Sequence, residues 1–280
     1  MTDHKVMNVR EFSKELLYRF NHDEVIGLSA QLAYFFLLSL FPFLLFLITL
    51  IGFLPISQDD VLSLVHRYAP GDTIKLIETN LAMILEKKRG GLLSFGVIAT
   101  IWSASNGVNA IIRAMNRAYD VTESRTFFVS RLMAIFLTFG MIFVIIVALL
   151  LQVFGEAIGL FIIKHLEMAN TFMIIWDTFR IITSFFVMVS ILAVLYFLAP
   201  NKRLRFKEVW TGAVVATIGW QLVSFAFSYF VTNFGNYSAT YGSLGGIIVL
   251  MIWFYLSAMI IILGGELNAI LRMNRFPYHK

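Results

Sequence analysis

Six long, continuous apolar stretches set the terms for everything else in this chain: roughly Leu28–Leu54, Leu92–Ile112, Leu132–Phe154, Phe172–Ala199, Val209–Val231 and Leu244–Ile270. Each is about 20 residues or longer, the length a helix needs to cross a bilayer core at 1.5 Å rise per residue. Only helices and closed barrels can span lipid, because every backbone N–H and C=O must find its partner within the protein. Barrel strands would read as short alternating segments, so the expected fold is all-α and polytopic. At 59% hydrophobic residues, well above the roughly 45–50% of globular domains, a soluble chain of 280 residues could not hide this surface.

The second stretch is the most diluted, by Ser103, Ser105, Asn106 and Asn109. Loop charge nevertheless supports it as a crossing. Lys and Arg number four in the N-terminal arm (Lys5, Arg10, Lys14, Arg19) and four around the second loop (Arg113, Arg117, Arg125, Arg131). Four more lie in the fourth loop (Lys202, Arg203, Arg205, Lys207) and three in the tail (Arg272, Arg275, Lys280). The alternate loops carry five, one and none. Basic loops stay cytoplasmic, so six crossings with both termini in the cytoplasm are expected. The organisation follows: a cytoplasmic amphipathic arm at 1–27, a transmembrane domain at 28–271 and a tail at 272–280.

In the arm, Val9, Phe12, Leu16, Leu17 and Phe20 recur at helical spacing, a stripe suited to the inner membrane surface or the bundle. The large loop, 55–91, reads as an external helical hairpin broken at Pro70-Gly71; a plain connector is the alternative. The net charge of +5 has its explanation in topology and anionic lipid, so membrane lipids are expected partners and nucleic acid is not. There is no cysteine, and the five histidines are scattered, so no metal site forms from sequence neighbours. Walker A, dinucleotide and nucleophile-elbow motifs are missing. Neither an enzyme nor a bound cofactor is expected.

Ionisable groups within membrane spans are costly and face the bundle interior, which makes each a candidate for function. Glu266, in Gly264-Gly265-Glu266-Leu267-Asn268, stands first. It can exchange protons, hold a cation, or pair with Arg113 or Arg117; the alternative is a purely structural ion pair. Gly264 and Gly265 let another helix or an ion approach the backbone. Asn106, Asn109, Arg113, Asn116 and Arg117 step along the second span as a polar stripe, either cavity lining or packing glue. Together with Gln31, Asn268 and Glu266 they are the candidate transport residues. Pro42 interrupts the first span, and Tyr241-Gly242 gather at the mouth of the sixth; these are candidate kink and gate positions. Asp177 and Arg180, three residues apart, read as a structural ion pair.

Several of these segments resemble one known family. Ala33-Tyr34-Phe35-Phe36-Leu37-Leu38-Ser39-Leu40-Phe41-Pro42, Trp102-Ser103, Ala114-Met115-Asn116-Arg117-Ala118-Tyr119, Leu198-Ala199-Pro200-Asn201, Tyr241-Gly242-Ser243-Leu244-Gly245 and Gly264-Gly265-Glu266-Leu267-Asn268 are similar to the YihY/BrkB family of bacterial inner-membrane proteins. The resemblance runs nearly the whole chain and implies a six-helix protein of the cytoplasmic membrane. One branch of that family is linked to virulence and serum resistance, and it carries an old ribonuclease label. A nuclease needs clustered carboxylates or histidines around metal ions, and none is visible here outside the loops. The expected function is transport of a small ion or a polar envelope precursor through a cavity between spans one, two and six. The alternatives are lipid movement, or a scaffold that binds envelope-assembly partners or a second copy of itself.

Overall fold

The computed structural model describes residues 7–51, 90–143, 171–234 and 244–275. Within them the chain is helical: α1 (Val9–His22), α2 (Val25–Ile51), α3 (Gly90–Ala118), α4 (Phe127–Phe143), α5 (Thr171–Leu198), α6 (Phe206–Phe234) and α7 (Leu244–Arg275). Five of these, α2, α3, α5, α6 and α7, are long and apolar enough to cross a membrane. α4, the described part of the third expected span, is a shorter apolar helix. The six-crossing expectation therefore rests, for that span, on residues beyond Phe143 that lie outside the described ones. So do the expected external hairpin at 55–91 and most of the tail.

The diluted second span is a continuous helix of 29 residues. Its polar residues do not interrupt it, because Ser, Asn and Arg side chains can bond across to neighbouring helices. α2 likewise runs through Pro42 without ending.

The chain divides into two compact units, Met1–Tyr34 with Ser105–Lys280, and Phe35–Ala104. In the smaller unit, Gly96 of α3 lies against Phe46 of α2, where a Cβ would come within 3.1 Å of the Phe46 backbone. The larger unit holds the buried core. Its largest buried side chains include Leu32, Ile111, Met115, Leu192, Tyr196, Ile262 and Ile270, and among them is one carboxylate, Glu266. α6 packs along α7, α5 packs on α6, and α1 rests on α7. Outward faces carry exposed Phe128, Phe136, Phe225 and Ile181, as expected where hydrocarbon rather than water is the solvent.

Three helix ends are closed by local chemistry in this unit. Asn8 opens α1, its N–H donating to the Glu11 carboxylate at 3.1 Å. α1 stops at Asp23, where Glu24 takes a left-handed φ of 53° and turns the chain into α2. α3 ends in a Schellman motif: Val121 N–H bonds the Asn116 carbonyl and Asp120 N–H the Arg117 carbonyl, both at 2.9 Å, with Asp120 at φ 51°.

The arm differs from its expected stripe. Phe12, Leu16 and Phe20 are half-buried, but Val9 and Leu17 are 78% and 66% exposed. Arg19 takes the place on the buried face that Leu17 was expected to share. The reason is angular: consecutive helical residues diverge by about 100°, so a face centred between Phe12 and Arg19 turns Leu17 away.

Candidate functional site

The turn from α1 to α2, the C-terminal ends of α3, α5 and α7, and the start of α6 all contribute to one polar end of the larger unit. Here Arg19 is the organising cation. Its Nε pairs with Glu15 one turn earlier at 2.9 Å, and one Nη donates to the Ala118 carbonyl at 2.8 Å. Ala118 is the last residue of α3, so this contact satisfies an orphan carbonyl and places positive charge at the negative end of the helix dipole. The other Nη lies 2.9 Å from the Met273 sulfur of α7.

The same guanidinium comes within 3.6 Å of Glu266, whose side chain is 1% exposed. That is an ion-pair distance but not a hydrogen bond, and both carboxylate oxygens of Glu266 are buried without a hydrogen-bond partner. Asp23, itself buried, is a neighbouring carboxylate. Tyr119, just past α3, adds a buried hydroxyl that also lacks a partner. Burial pushes that phenol far above its ordinary range, against the charge of Arg272 and with smaller help from Glu208 and Glu266, so it stays protonated.

The sequence offered Arg113 and Arg117 as partners for Glu266, and the structure uses them otherwise. Arg113 donates to Gln31 at 3.1 Å on an exposed face. Arg117 reaches Glu24 at 3.1 Å, the His22 carbonyl at 3.1 Å and Asp23 at 3.9 Å. Arg117 thus neighbours the site through Asp23, and Gln31 and Arg113 form a separate pair. The cation that meets Glu266 comes from α1 because the arm folds onto α7, a tertiary contact that no sequence spacing encodes.

Three of the four candidate asparagines are packing clamps. Asn268 accepts from Gly212 N–H at 2.7 Å and donates to the Val209 carbonyl at 3.0 Å, tying α7 to the first turns of α6. Asn116 donates to Glu123 at 2.8 Å and accepts from Asn201 N–H at 2.6 Å, joining two loops. Asn106 accepts from Arg131 of α4 at 2.6 Å. Asn109 is half-buried. Gly264 and Gly265 are both close-approach positions: Gly264 abuts Tyr196, Ala216 and Gly212, and Gly265 abuts the Met115 thioether. Tyr241, Gly242 and the side chain of Asp177 lie outside the described residues, so the Asp177–Arg180 pair and the mouth of the sixth span are not seen.

Residues that sequence reasoning passed over complete the polar end. Arg125 holds the Ala199 and Pro200 carbonyls at 3.3 and 2.8 Å, and Asn201 bonds Thr122 and Ser124. Arg272 pairs with Glu208 at 3.1 Å. Among the described residues no three His, Asp or Glu side chains converge as a metal site would require.

Apolar helices of crossing length, with buried charge gathered at one polar end, define a helical, multi-pass membrane protein. The chain belongs to the virulence factor BrkB family, whose model matches residues 16–280. It is 52% identical over 273 residues to the ribonuclease-like protein YfkH of Bacillus subtilis (strain 168), spanning 96% of this chain and 99% of that one. It is 27% identical over 270 residues to a UPF0761 membrane protein of Vibrio atlanticus (strain LGP32), spanning 93% and 82%. A UPF0761 membrane protein of Aeromonas salmonicida (strain A449) is 27% identical over 267 residues, spanning 93% and 88%. No solved structure matches the chain. It is a multi-pass bacterial membrane protein.

Proposed function

We propose that this protein moves a small ion or a polar envelope precursor across the cytoplasmic membrane, with Glu266 as the coupling carboxylate. The observation that carries the reading is a fully buried carboxylate facing one cation at 3.6 Å, with neither oxygen hydrogen-bonded. A buried ion pair kept only for stability needs its remaining lone pairs satisfied to offset desolvation. A carboxylate left open in this way is poised to take up a proton or a cation. The path at this end runs beside α2, α3 and α7.

In this reading the chain crosses six times with both termini cytoplasmic. The basic arm, the turns around Arg125 and Lys202, and Arg272 all belong to the polar end, and positive charge favours the cytoplasmic side. The ribonuclease-like name of the Bacillus relative does not extend to this chain in our reading, because the described residues offer no convergent set of carboxylates and histidines.

A non-transporting envelope scaffold is the second reading. It is favoured by the engagement of Asn106, Asn116 and Asn268 in internal clamps rather than in a lining. Proton and ion flux in proteoliposomes under Na⁺ or K⁺ gradients separates the two. We expect wild-type flux, and its loss in Glu266→Gln with an unchanged size-exclusion profile, since glutamine keeps the shape and removes the charge. Absence of flux in both proteins overturns transport of small ions and favours the scaffold.

A further inference from the structure

We propose that α1 is a gate, and that Arg19 is its tethered cation, occupying the place where a proton or a small monovalent cation binds beside Glu266. The proposal deepens the transport reading and rests on it for what the site carries.

Arg19 neutralises Glu266 without bonding it. The hydrogen bonds of its guanidinium go elsewhere, to Glu15, the Ala118 carbonyl and the Met273 sulfur. Glu266 is 0% exposed and both of its oxygens remain open, as does the Tyr119 hydroxyl, which is 4% exposed at the residue level. The two unpartnered oxygens of one buried carboxylate form an oxygen-donor pair lacking its ligand. Oxygen donors suit a proton or a hard cation. A divalent ion would want a third carboxylate or more, and no such group converges among the described residues.

The charges make α1 and the ligand competitors. With α1 docked, the Arg19 guanidinium faces the buried Glu266 carboxylate, while the neighbouring Asp23 is reached by Arg117 at 3.9 Å. If α1 lifts, Glu266 loses its buried cation, and a proton or cation must replace it or the buried charge is severely unfavourable. Each ligand therefore excludes the other, which is a coupling free energy between α1 docking and ion entry. The other groups around Glu266 do not substitute for Arg19. Tyr119 is neutral, Tyr196 of α5 donates to the Ile261 carbonyl at 2.6 Å, and Glu208 of α6 is paired with Arg272.

The arm is covered on one side only. It rests on α7, and its far face is open, with Leu17 and Tyr18 66% and 60% exposed. It joins α2 through Asp23-Glu24, with the non-glycine Glu24 held at φ 53°.

The absence of cysteine allows a direct test. Leu16→Cys places a thiol on the half-buried face of α1, and Leu17→Cys places one on the exposed face as a control. Maleimide labelling rates are read in proteoliposomes with Na⁺, K⁺, or choline as the inert cation, and at neutral and acidic pH. The control is expected to label fast throughout. Leu16→Cys is expected to label faster with the cognate ion or proton, by roughly 5- to 150-fold, the usual range of coupling between two sites. Adding Arg19→Gln should give the fast rate without ligand, and adding Glu266→Gln should abolish the response. A Leu16→Cys rate indifferent to Na⁺, K⁺ and pH overturns the gate, and that arm needs no change at Arg19. Flux with an indifferent rate removes the gate and leaves transport standing. A ligand-dependent rate without flux supports the gated site and removes transport.

Discussion

Gly264→Ala is expected to cost the protein its native bundle, whereas Gly265→Ala, one residue away, is expected to fold. A Cβ on Gly264 would overlap the Tyr196 hydroxyl and stand 2.7 Å from Ala216 Cβ and 2.9 Å from the Gly212 carbonyl oxygen. Two of these three obstacles belong to α6 and cannot move without parting the helices. Gly212 is the reciprocal contact, since a Cβ there would overlap the Gly264 carbonyl. Gly212 and Ala216, four residues apart, are the small-residue stripe that lets α6 and α7 approach this closely. Alanine gains about 1 kcal/mol in helix propensity over glycine, but overpacking a fixed contact costs about 3 kcal/mol or more. A Cβ on Gly265 meets instead the sulfur and terminal methyl of Met115, the far end of a flexible side chain. Thermal unfolding in detergent, followed by size exclusion, should show Gly264→Ala strongly destabilised or aggregated and Gly265→Ala close to wild type. Equal behaviour of the two would refute the assignment of Gly264 to the helix crossing.

The helices were legible because bilayer physics leaves few choices. Continuous apolar runs had to be helices, and the expected boundaries of the second, fourth, fifth and sixth spans fall within a few residues of those observed, apart from longer polar-end extensions such as Arg113–Ala118 and Leu271–Arg275. Glu266 was legible for a similar reason, since a carboxylate in such a run has to find a partner. Its partner was not legible. Helical spacing links residues within one helix, and the Arg19–Glu266 contact joins positions 247 apart in sequence (266 minus 19) through a docked arm. A signal did exist. Phe12, Leu16 and Arg19 stand at the spacing of a single helix face, so Arg19 interrupts the arm's own apolar stripe. A cation there predicts a buried anion opposite. The polar stripe of α3 was visible as a stripe, but its use was not: Asn106, Asn116 and Arg113 each turn to a different neighbour, α4, a loop and α2 respectively. Which neighbour each meets depends on how the helices pack, and no local pattern carries that.

Asn268→Asp is expected to destabilise the protein more than Asn268→Ala, although aspartate is the closer match in shape. The wild-type amide works in both directions, accepting from Gly212 N–H at 2.7 Å and donating to the Val209 carbonyl at 3.0 Å. Alanine removes both bonds and leaves a small void, a loss of about 1–3 kcal/mol. Aspartate keeps the acceptor but sets an oxygen against the Val209 carbonyl, and it buries a second carboxylate two residues from Glu266 at a position that is 0% exposed. An unpaired buried charge costs several kcal/mol more. Chemical or thermal denaturation should therefore rank wild type above Asn268→Ala, and Asn268→Ala above Asn268→Asp. The same pair of variants tests what Asn268 is for. Residues two apart on a helix diverge by about 200°, so Asn268 faces α6 while Glu266 faces α1. If Asn268 only fixes the crossing of α6 and α7, Asn268→Ala that folds should keep its flux per folded molecule. If it lines the path, flux should fall while stability holds. A fall in flux at unchanged stability would move the path to the α6 side of α7 and count against a site gated by α1.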